Sequence, residues 1–497
     1  MNNNKKNISS SKTDNSSPSG EVGRGVAAIQ YIDLYRECRD MIAEHSASLL
    51  NAPREQALED FERLGFPTQK EERYKYTDVA AAFAPDYGLN LQRLDIPVNA
   101  VGKRVRDNAC IGLVEREQGR GDSLNPYDAF RCDVPNLSTS LYFVVNDRFY
   151  DKALPKAMLP EGVLVMSLVD AAIKYPELIG KYYAKQARTH KDGINALNTM
   201  FCQDGLFIYV PKSTVVTRPI QVVNILRADV DLMVNRRVLI VLEEQAEACV
   251  LFCDHAVDDH QFLTTQISEV YVGEEAHLEL YELEETHVKS RRFANMYVDQ
   301  QRGSTATIDS ITLHNGLTRN RTDVTLSGEY AETNMYGCVI ADKQQHVDNN
   351  TLIDHRVPNC QSNELYKYVL DDEAVGAFAG RVLVREDAQK TVSRETNANL
   401  CATDTARMYT QPMLEIYADD VKCSHGSTVG QLNEQALFYM RQRGIPEAEA
   451  RMLLKFAFAG EVLDSIKMEP LRDRLHHLVE KRFRGELSKC EGCKLCK

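Results

Sequence analysis

The 497-residue sequence has none of the features that would attach it to a nucleic acid or a membrane. Its formal net charge is −13, and it contains no stripe of basic residues of the kind that a nucleic acid or an anionic membrane requires. Its apolar runs, such as 238–242 and 248–253, are far shorter than the roughly 18 residues that cross a bilayer. We therefore expect a protein that acts with neither nucleic acid nor membrane.

The sequence also lacks the short motifs of self-sufficient enzymes. There is no GxxxxGK[ST] phosphate-binding loop, so no ATP site is expected on this chain. There is likewise no GxSxG, no HExxH and no GxGxxG that opens a helix. These absences argue against a hydrolase or a dehydrogenase that acts alone, and they favour a scaffold.

No secretory signal accompanies the thirteen cysteines, which are odd in number and mostly scattered singly. A disulfide framework is therefore not expected, and the reducing cytoplasm is the predicted location. Residues 1–25 are rich in Asn and Ser, have no apolar core and are predicted to form a disordered polar tail. This tail has two acidic residues and one arginine, which is not the composition of an organelle transit peptide.

Helical patterns dominate the first part of the chain after this tail. Apolar residues recur at helical spacing over 27–50, and a second helix is predicted over 54–64, where a glycine and a proline follow. These helices predict an N-terminal helical region over residues 26–95. A β core is predicted from 96 to 425, with a helical insert near 164–190.

Most of the predicted β core consists of short apolar or alternating runs that recur about every 10 to 20 residues. No βα crossover pattern lies between these runs, so a Rossmann-like sheet is excluded. A sandwich, a barrel and a parallel β-helix all remain open from the periodicity alone. After residue 425 the pattern becomes helical, with Asn433 as a capping residue, and it predicts a C-terminal helical domain over 426–486. A Cys-rich tail follows at 487–497.

A cysteine and a histidine stand at the end of the β core, on a strand predicted to run from Ile416 to His425. Side chains two apart on a strand share a face, so one side of it is predicted to carry Asp419, Val421, Cys423 and His425. With Cα atoms about 6 to 7 Å apart, Cys423 and His425 can bind one metal ion or act on one substrate atom. Two ligands make only half of a tetrahedral site.

The reactivity of this pair can be interpreted in two ways. Lys422 and a nearby imidazolium are expected to lower the pKa of the Cys423 thiol and make it more reactive. The alternative is a packed thiol beside a histidine that is satisfied by a carbonyl group. Small polar residues next to the pair, Ser424, Ser427 and Thr428, favour a strand end near the surface.

Further candidate ligands lie elsewhere in the chain. His346, His355 and Cys360 have suitable chemistry without a recognised spacing, and they are interpreted either as structural residues of turns or as metal- or sulfur-handling residues. Cys490, Cys493 and Cys496 form CxxCxxC at the end of the chain. Three thiols can chelate a metal, whereas a complete zinc or cubane site requires four ligands, so a mobile reduced tail is the alternative.

Several long segments of the chain resemble one family. They are YADDVKCSHGSTVGQL (417–432), followed by ALFYMRQRGIPEAEAR, and upstream HNGLTRNRTDVTLSGEYAETNMYG, QQHVDNNTLIDHRVPNCQSNELYK, GAFAGRVLVREDAQKT and KEERYKYTD. The chain resembles the SufB/SufD family of the SUF iron-sulfur cluster assembly system over residues 27–486. The resemblance is to the SufD subunit, because SufB carries a glutamate-bearing segment in place of KCSHG.

This resemblance implies a fold and a set of partners. The implied fold is a right-handed parallel β-helix flanked by N-terminal and C-terminal α-helical regions, the latter docking the ATPase SufC. The implied function is that of a non-catalytic scaffold subunit that acts with SufB and SufC to build and transfer nascent clusters. Iron or a transient iron-sulfur cluster would lie at the interface with SufB, reduced flavin is a candidate cofactor, and the isolated chain could form a homodimer.

The resemblance also implies that His425 is a functional position, whereas Cys423 could be a packed thiol. Two other functions remain alternatives. A β-helical carbohydrate-active enzyme would share the fold, but no motif in this chain places acid and base groups along a strand face. The interpretation as a metal-binding storage protein is supported by the terminal cysteines alone.

Overall fold

The computed structural model describes residues 19–91, 139–150 and 159–485, and this part of the chain contains twenty β-strands. In chain order the strands are β1 (Gly88–Leu89), β2 (Ser140–Val145), β3 (Arg148–Tyr150), β4 (Leu164–Ser167), β5 (Leu206–Val210), β6 (Ile220–Leu226), β7 (Leu232–Leu242), β8 (Glu247–Ala256), β9 (Phe262–Val272), β10 (His277–Glu285), β11 (Ser290–Gln300), β12 (Thr305–His314), β13 (Leu317–Leu326), β14 (Glu332–Ala341), β15 (His346–His355), β16 (Gln361–Leu370), β17 (Val375–Val384), β18 (Val392–Cys401), β19 (Arg407–Ile416) and β20 (Lys422–Gly430).

The described helices flank these strands. They are α1 (Ser19–Glu44), α2 (Ser48–Asn51), α3 (Arg54–Leu64), α4 (Val79–Phe83), α5 (Leu168–Lys174), α6 (Pro176–Tyr182), α7 (Lys185–Thr189), α8 (Gly193–Phe201), α9 (Glu434–Gln442), α10 (Glu447–Leu463) and α11 (Glu469–Phe483).

The strands belong to two sheets that the chain visits alternately. Sheet A contains the odd-numbered strands β5 to β19, and sheet B contains β2 and the even-numbered strands β6 to β20, all paired in parallel. Because each strand pairs with the one two places further along the chain, the chain coils as a parallel β-solenoid of about eight turns. The prediction of a mainly β, parallel β-helix protein with helices at both ends is confirmed, and the sandwich and the barrel are excluded.

The inside of the solenoid is an apolar core to which both sheets contribute inward-facing side chains, among them Ile208, Ile240, Val250, Phe252 and Val298. Strand β7 is buried at all of its positions. Its outer face is therefore also covered, and Asn235, Arg236 and Arg237 in its middle are buried together with the apolar residues. The covering elements are the helices.

Helices from two parts of the chain cover the outer face of sheet A. Residues of α1, α3, α4 and α8 pack with Met233, Leu263 and Phe293 of the sheet. The helical insert packs α5 and α6 against Phe207 and Leu239. The helix predicted over 54–64 is confirmed with those bounds.

The C-terminal helices cover the outer face of sheet B. Side chains of α10 and α11 share one buried cluster with Leu251, Tyr281 and Ile311 of the sheet. The predicted cap is confirmed, because Asn433 Oδ1 accepts a hydrogen bond of 3.0 Å from the Ala436 N–H. This helical layer therefore shares a hydrophobic core with the outer face of sheet B, separate from the core inside the solenoid.

The structure corrects three boundaries. The strand predicted from Ile416 to His425 is two strands, because β19 ends at Ile416 and a turn separates it from β20, so Asp419 and Val421 lie in that turn. Strand β20 continues to Gly430, whereas a helical domain was predicted from 426. Helix α1 is described from Ser19, which lies inside the predicted disordered tail. The β runs predicted just after residue 96 lie outside the described residues.

Among the helices of the described ranges, none combines the length and the apolar character needed to cross a membrane.

Candidate functional site

The last turn of the solenoid leaves both sheets with an open edge, formed by β19 in sheet A and β20 in sheet B. Among the strands that the structure describes, each of these two has a neighbour on one side only. At the other end of the solenoid the sheets continue into the antiparallel strands β3 and β4. An unpaired strand offers a row of free N–H and C=O groups, and proteins use such edges to add a strand from a partner.

Large apolar side chains are exposed at this open edge. Ile416 is 41% exposed, Tyr417 64% and Val429 51%. Tyr409, at 38%, is stacked on Tyr76 with ring centroids 4.6 Å apart. Exposed apolar residues along unpaired strands favour a surface that contacts another protein.

Cys423 and His425 lie on β20 at the open edge, and the prediction that both are on a strand is confirmed. Their register partners on β18 are Ser393 and Glu395. His425 is exposed, whereas Cys423 is half-buried and packs with an apolar cluster that includes Val382. The histidine can therefore reach a partner's surface directly.

The prediction of a reactive thiol with a lowered pKa is wrong for this chain by itself. Burial raises the pKa of the Cys423 thiol, because the thiolate would lose hydration, and a backbone hydrogen bond from Ser393 offsets only part of the effect. Lys422 is exposed. The thiol is thus the more structural member of the pair.

The interior just behind the open edge is polar, which the sequence analysis did not foresee. Asn397 is 1% exposed, and its Oδ1 accepts hydrogen bonds from Thr410 at 2.8 Å and from Ser427 at 3.3 Å. The Thr410 and Ser427 hydroxyls are also 2.7 Å apart. Glu395 is buried beside this group, two residues before Asn397 on β18. Only the register between strands brings these residues together, so no motif in the sequence could have revealed them.

The structure does not bring His346, His355 and Cys360 together. His346 and His355 are the first and last residues of β15, so about 30 Å of strand separates them. His346 Nε2 is 3.2 Å from the Thr77 hydroxyl. His355 Nε2 is 2.9 Å from the Ser362 hydroxyl, and burial lowers the pKa of His355 to about 4. The Cys360 thiol donates to the Gly328 carbonyl at 3.4 Å, and burial raises its pKa.

Each of the three residues therefore has a hydrogen-bonding partner of its own, which is Thr77 of the N-terminal region for His346 and a solenoid residue for His355 and Cys360. In the described ranges, no three His, Cys, Asp or Glu side chains converge as a group that could hold a metal ion. Cys490, Cys493 and Cys496 lie outside the described residues. Cys423 and His425 at the open edge are therefore the predicted site residues whose position suits contact with a partner.

Comparisons with known proteins agree with the fold and with the resemblance seen in the sequence. The model of the SufBD core domain of the SUF system for FeS cluster assembly matches residues 225–458, and that of the SufBD N-terminal region matches 26–103 and 118–222. An iron-sulfur cluster assembly SufBD family protein of Synechocystis sp. is 28% identical over 458 residues, which are 89% of this chain and 93% of the relative.

Two relatives carry the name iron-sulfur cluster assembly protein SufD. That of Escherichia coli is 32% identical over 244 residues, 49% of this chain and 58% of the relative. That of Bacillus subtilis is 25% identical over 361 residues, 71% of this chain and 81% of the relative. Family matches over most of the chain, together with the parallel β-solenoid, show that the chain belongs to the SufBD family of iron-sulfur cluster assembly proteins.

Proposed function

We propose that this chain is a SufD-like scaffold subunit, which acts in the cytoplasm with a SufB-like subunit and a SufC-like ATPase to build and transfer nascent iron-sulfur clusters. The observation that carries the proposal is the open edge, where the exposed His425 lies on the edge strand β20. A lone histidine and a half-buried cysteine make an incomplete ligand set. A partner chain docked on the edge would supply the remaining ligands for iron and sulfide, the cargo of the complex.

No catalytic residue is assigned, since the proposed role is to hold and complete a site between two chains. ATP hydrolysis would come from the SufC-like subunit, because this chain has no phosphate-binding loop. Reduced flavin remains a candidate cofactor of the complex. The test is co-expression with SufB-like and SufC-like chains, followed by measurement of the mass and the iron content of the complex. Recovery of this chain alone and without iron would contradict the proposal.

The C-terminal helices are the proposed docking surface for the ATPase subunit. Their inner faces are buried against sheet B, with Leu463 and Leu475 almost fully covered. On the outer side, Phe438 of α9 is 63% exposed and Tyr439 is 58% exposed. Deleting the helices would uncover the sheet, so a surface substitution is the cleaner test.

Replacing Phe438 by aspartate should weaken binding of the SufC-like subunit at least tenfold and leave the fold intact. An exposed aromatic side chain at the centre of an interface often contributes 2 kcal/mol or more, about 30-fold in affinity. Val288→Asp, at a loop position that is 51% exposed, is the matched control. Co-purification and titration calorimetry measure the effect, and unchanged binding by Phe438→Asp would remove α9 from the docking surface.

The terminal cysteines are a separate proposed metal site. Thiolates must be deprotonated to bind metal, so a functional CxxCxxC segment should take up zinc or iron with release of protons. Replacing Cys490, Cys493 and Cys496 by serine should then lower the metal content of the purified chain. Equal metal content in the wild-type and serine chains would leave a reduced tail without a metal site.

A further inference from the structure

Two glutamates lie next to each other inside the solenoid, close to the open edge. Glu364 on β16 and Glu395 on β18 are register partners in successive turns, and each is only 1% exposed. The next residue in the same column is His425 on β20. Register partners in neighbouring strands are about 4.8 Å apart, so the column leads from an exposed imidazole to two buried carboxyl groups.

The carboxyl groups of this pair lack the partners that buried acids normally have. Within the residues that the structure describes, none of their four oxygens accepts or donates a hydrogen bond. Several other buried acids of the solenoid are paired with arginine, as Glu269 is with Arg237 and Asp323 with Arg321. Buried carboxyl groups are usually hydrogen-bonded, paired or bound to a metal. The Glu364–Glu395 pair therefore lacks a partner that would balance its charge.

Sheet A provides space and a further polar group opposite the pair. A Cβ atom at Gly380 would overlap Glu395 Oε1, so the glycine leaves the space in which that carboxyl group lies. Thr351, the register partner of Gly380, is 2% exposed. Its hydroxyl makes no regular hydrogen bond, yet it lies close enough to Glu364 to lower the pKa of that carboxyl in part. The hydroxyl is thus a third buried polar group directed at the same place.

The electrostatics of the pair agree with this arrangement. Burial raises the pKa of Glu364 to about 7, and burial together with the neighbouring Glu364 raises the pKa of Glu395 to about 9. Two adjacent carboxyl groups in a low-dielectric interior cannot both ionise without a cation. A divalent cation would balance both charges and provide the missing partner for their oxygens.

We propose that Glu364, Glu395 and the Thr351 hydroxyl form an inner binding site for a divalent cation of the class that prefers oxygen ligands, reached from the open edge past His425. Such cations accept carboxylates, hydroxyls and waters. In the described part of the chain no three His, Cys, Asp or Glu side chains converge, so water would complete the coordination. Ferrous iron as the cation rests on the proposed function, whereas the site itself does not.

The test uses Mn²⁺, because this ion prefers oxygen over thiolate ligands and its binding is read directly by electron paramagnetic resonance. The protein is the full chain with Cys490, Cys493 and Cys496 replaced by serine, which removes competing thiols. We expect one Mn²⁺ per chain, with affinity at least tenfold weaker in Glu364→Gln and in Glu395→Gln. Asp309→Asn is the matched control, since Asp309 is another fully buried carboxylate without hydrogen bonds, but on the outer side of sheet B near Lys467.

The outcomes separate this inference from the proposed function. His425→Ala should still bind Mn²⁺, because the histidine lies on the route to the inner site and is not one of its ligands. Absence of Mn²⁺ binding below about 1 mM, the weak end for protein sites of hard cations, would overturn the proposal, as would equal binding by a chain with both glutamates replaced by glutamine. If thermal unfolding shows that a glutamine variant does not fold, Glu395→Asp decides. It retains the charge but withdraws the carboxylate by one methylene, and unweakened Mn²⁺ binding by this variant would equally overturn the site.

Discussion

Replacing His425 by alanine should leave the subunit folded and able to assemble with its partners, yet sharply reduce the yield of iron-sulfur cluster on the complex. His425 is exposed on the last strand of sheet B, and substitutions at exposed positions usually change the free energy of unfolding by no more than about 0.5 kcal/mol. The loss of a ligand from a site shared by two chains, in contrast, removes a contact that no neighbouring residue replaces. Cluster yield should therefore fall by about tenfold or more, the range seen when metal-site interactions are lost.

The measurement is reconstitution of the complex with iron and sulfide, followed by cluster absorbance, with thermal unfolding of the subunit as the check on folding. Ser424→Ala is the matched control, because Ser424 is exposed on the same strand and its side chain points to the opposite face. Cys423→Ser should have a smaller effect, since its thiol is half-buried with a raised pKa. A normal cluster yield from the His425→Ala complex would refute the role of the histidine, and an unfolded subunit would show that the histidine is structural.

The fold could be predicted to a large extent because its signal is local and repeated. Short apolar runs at regular spacing without crossover helices indicate a mainly β chain, and the parallel solenoid confirms this. The same runs could not distinguish a solenoid from a sandwich, because that choice depends on which strands pair. Periodicity does not contain this information, and it entered only through the family resemblance.

The candidate site could be predicted only in part, and the reasons are physical. Cys423 and His425 are neighbours in sequence, so their position on one strand was visible. Turn residues 417–421 were mistaken for strand, because Ile416 and Val421 flank the turn with residues that favour β structure. Glu364 and Glu395 are register partners in successive turns. Contacts of this kind, about thirty residues apart, depend on the length of every intervening turn, which the sequence pattern does not determine.

The pKa of Cys423 shows a second limit of the sequence pattern. A lysine next to a cysteine suggests a stabilised thiolate. On a strand, however, adjacent side chains point in opposite directions, so the ammonium group of Lys422 cannot lie against the sulfur. Packing against the cluster around Val382 then determines the sign of the shift, and the pKa rises.

Replacing Glu269 by alanine should lower the free energy of unfolding by about 3 to 5 kcal/mol, much more than the loss of a carboxylate from a surface ion pair. Glu269 and Arg237 form an ion pair of 2.9 Å, and both side chains are 0% exposed. Removing the carboxylate leaves the guanidinium of Arg237 as a buried charge without its counter-ion. Breaking a buried pair on one side is costly for this reason, even where the intact pair contributes little net stability.

Glu269 also anchors the helical insert to sheet A, which adds to the expected loss. Its carboxylate accepts hydrogen bonds from the backbone N–H groups of Ala184 at 2.8 Å, Gln186 at 2.9 Å and Ala187 at 3.1 Å, at the start of α7. Negative charge at a helix N-terminus satisfies N–H groups that have no partner within the helix. Without it, α7 and its contacts with the sheet should loosen before the solenoid unfolds.

Urea unfolding of the full chain measures this difference, with Glu62→Ala as the matched control. Glu62 pairs with Arg36 at 2.6 Å on the surface, where both side chains are more than a third exposed, and such pairs contribute about 0 to 1 kcal/mol. The loss of stability in Glu269→Gln should lie between the losses in Glu269→Ala and Glu62→Ala. The amide keeps one acceptor oxygen for the backbone but not the charge that balances Arg237. If Glu269→Ala and Glu62→Ala shifted the unfolding midpoint equally, the insert would not be held by this carboxylate, and apolar packing of α5 and α6 on Phe207 and Leu239 would be what attaches it to the solenoid.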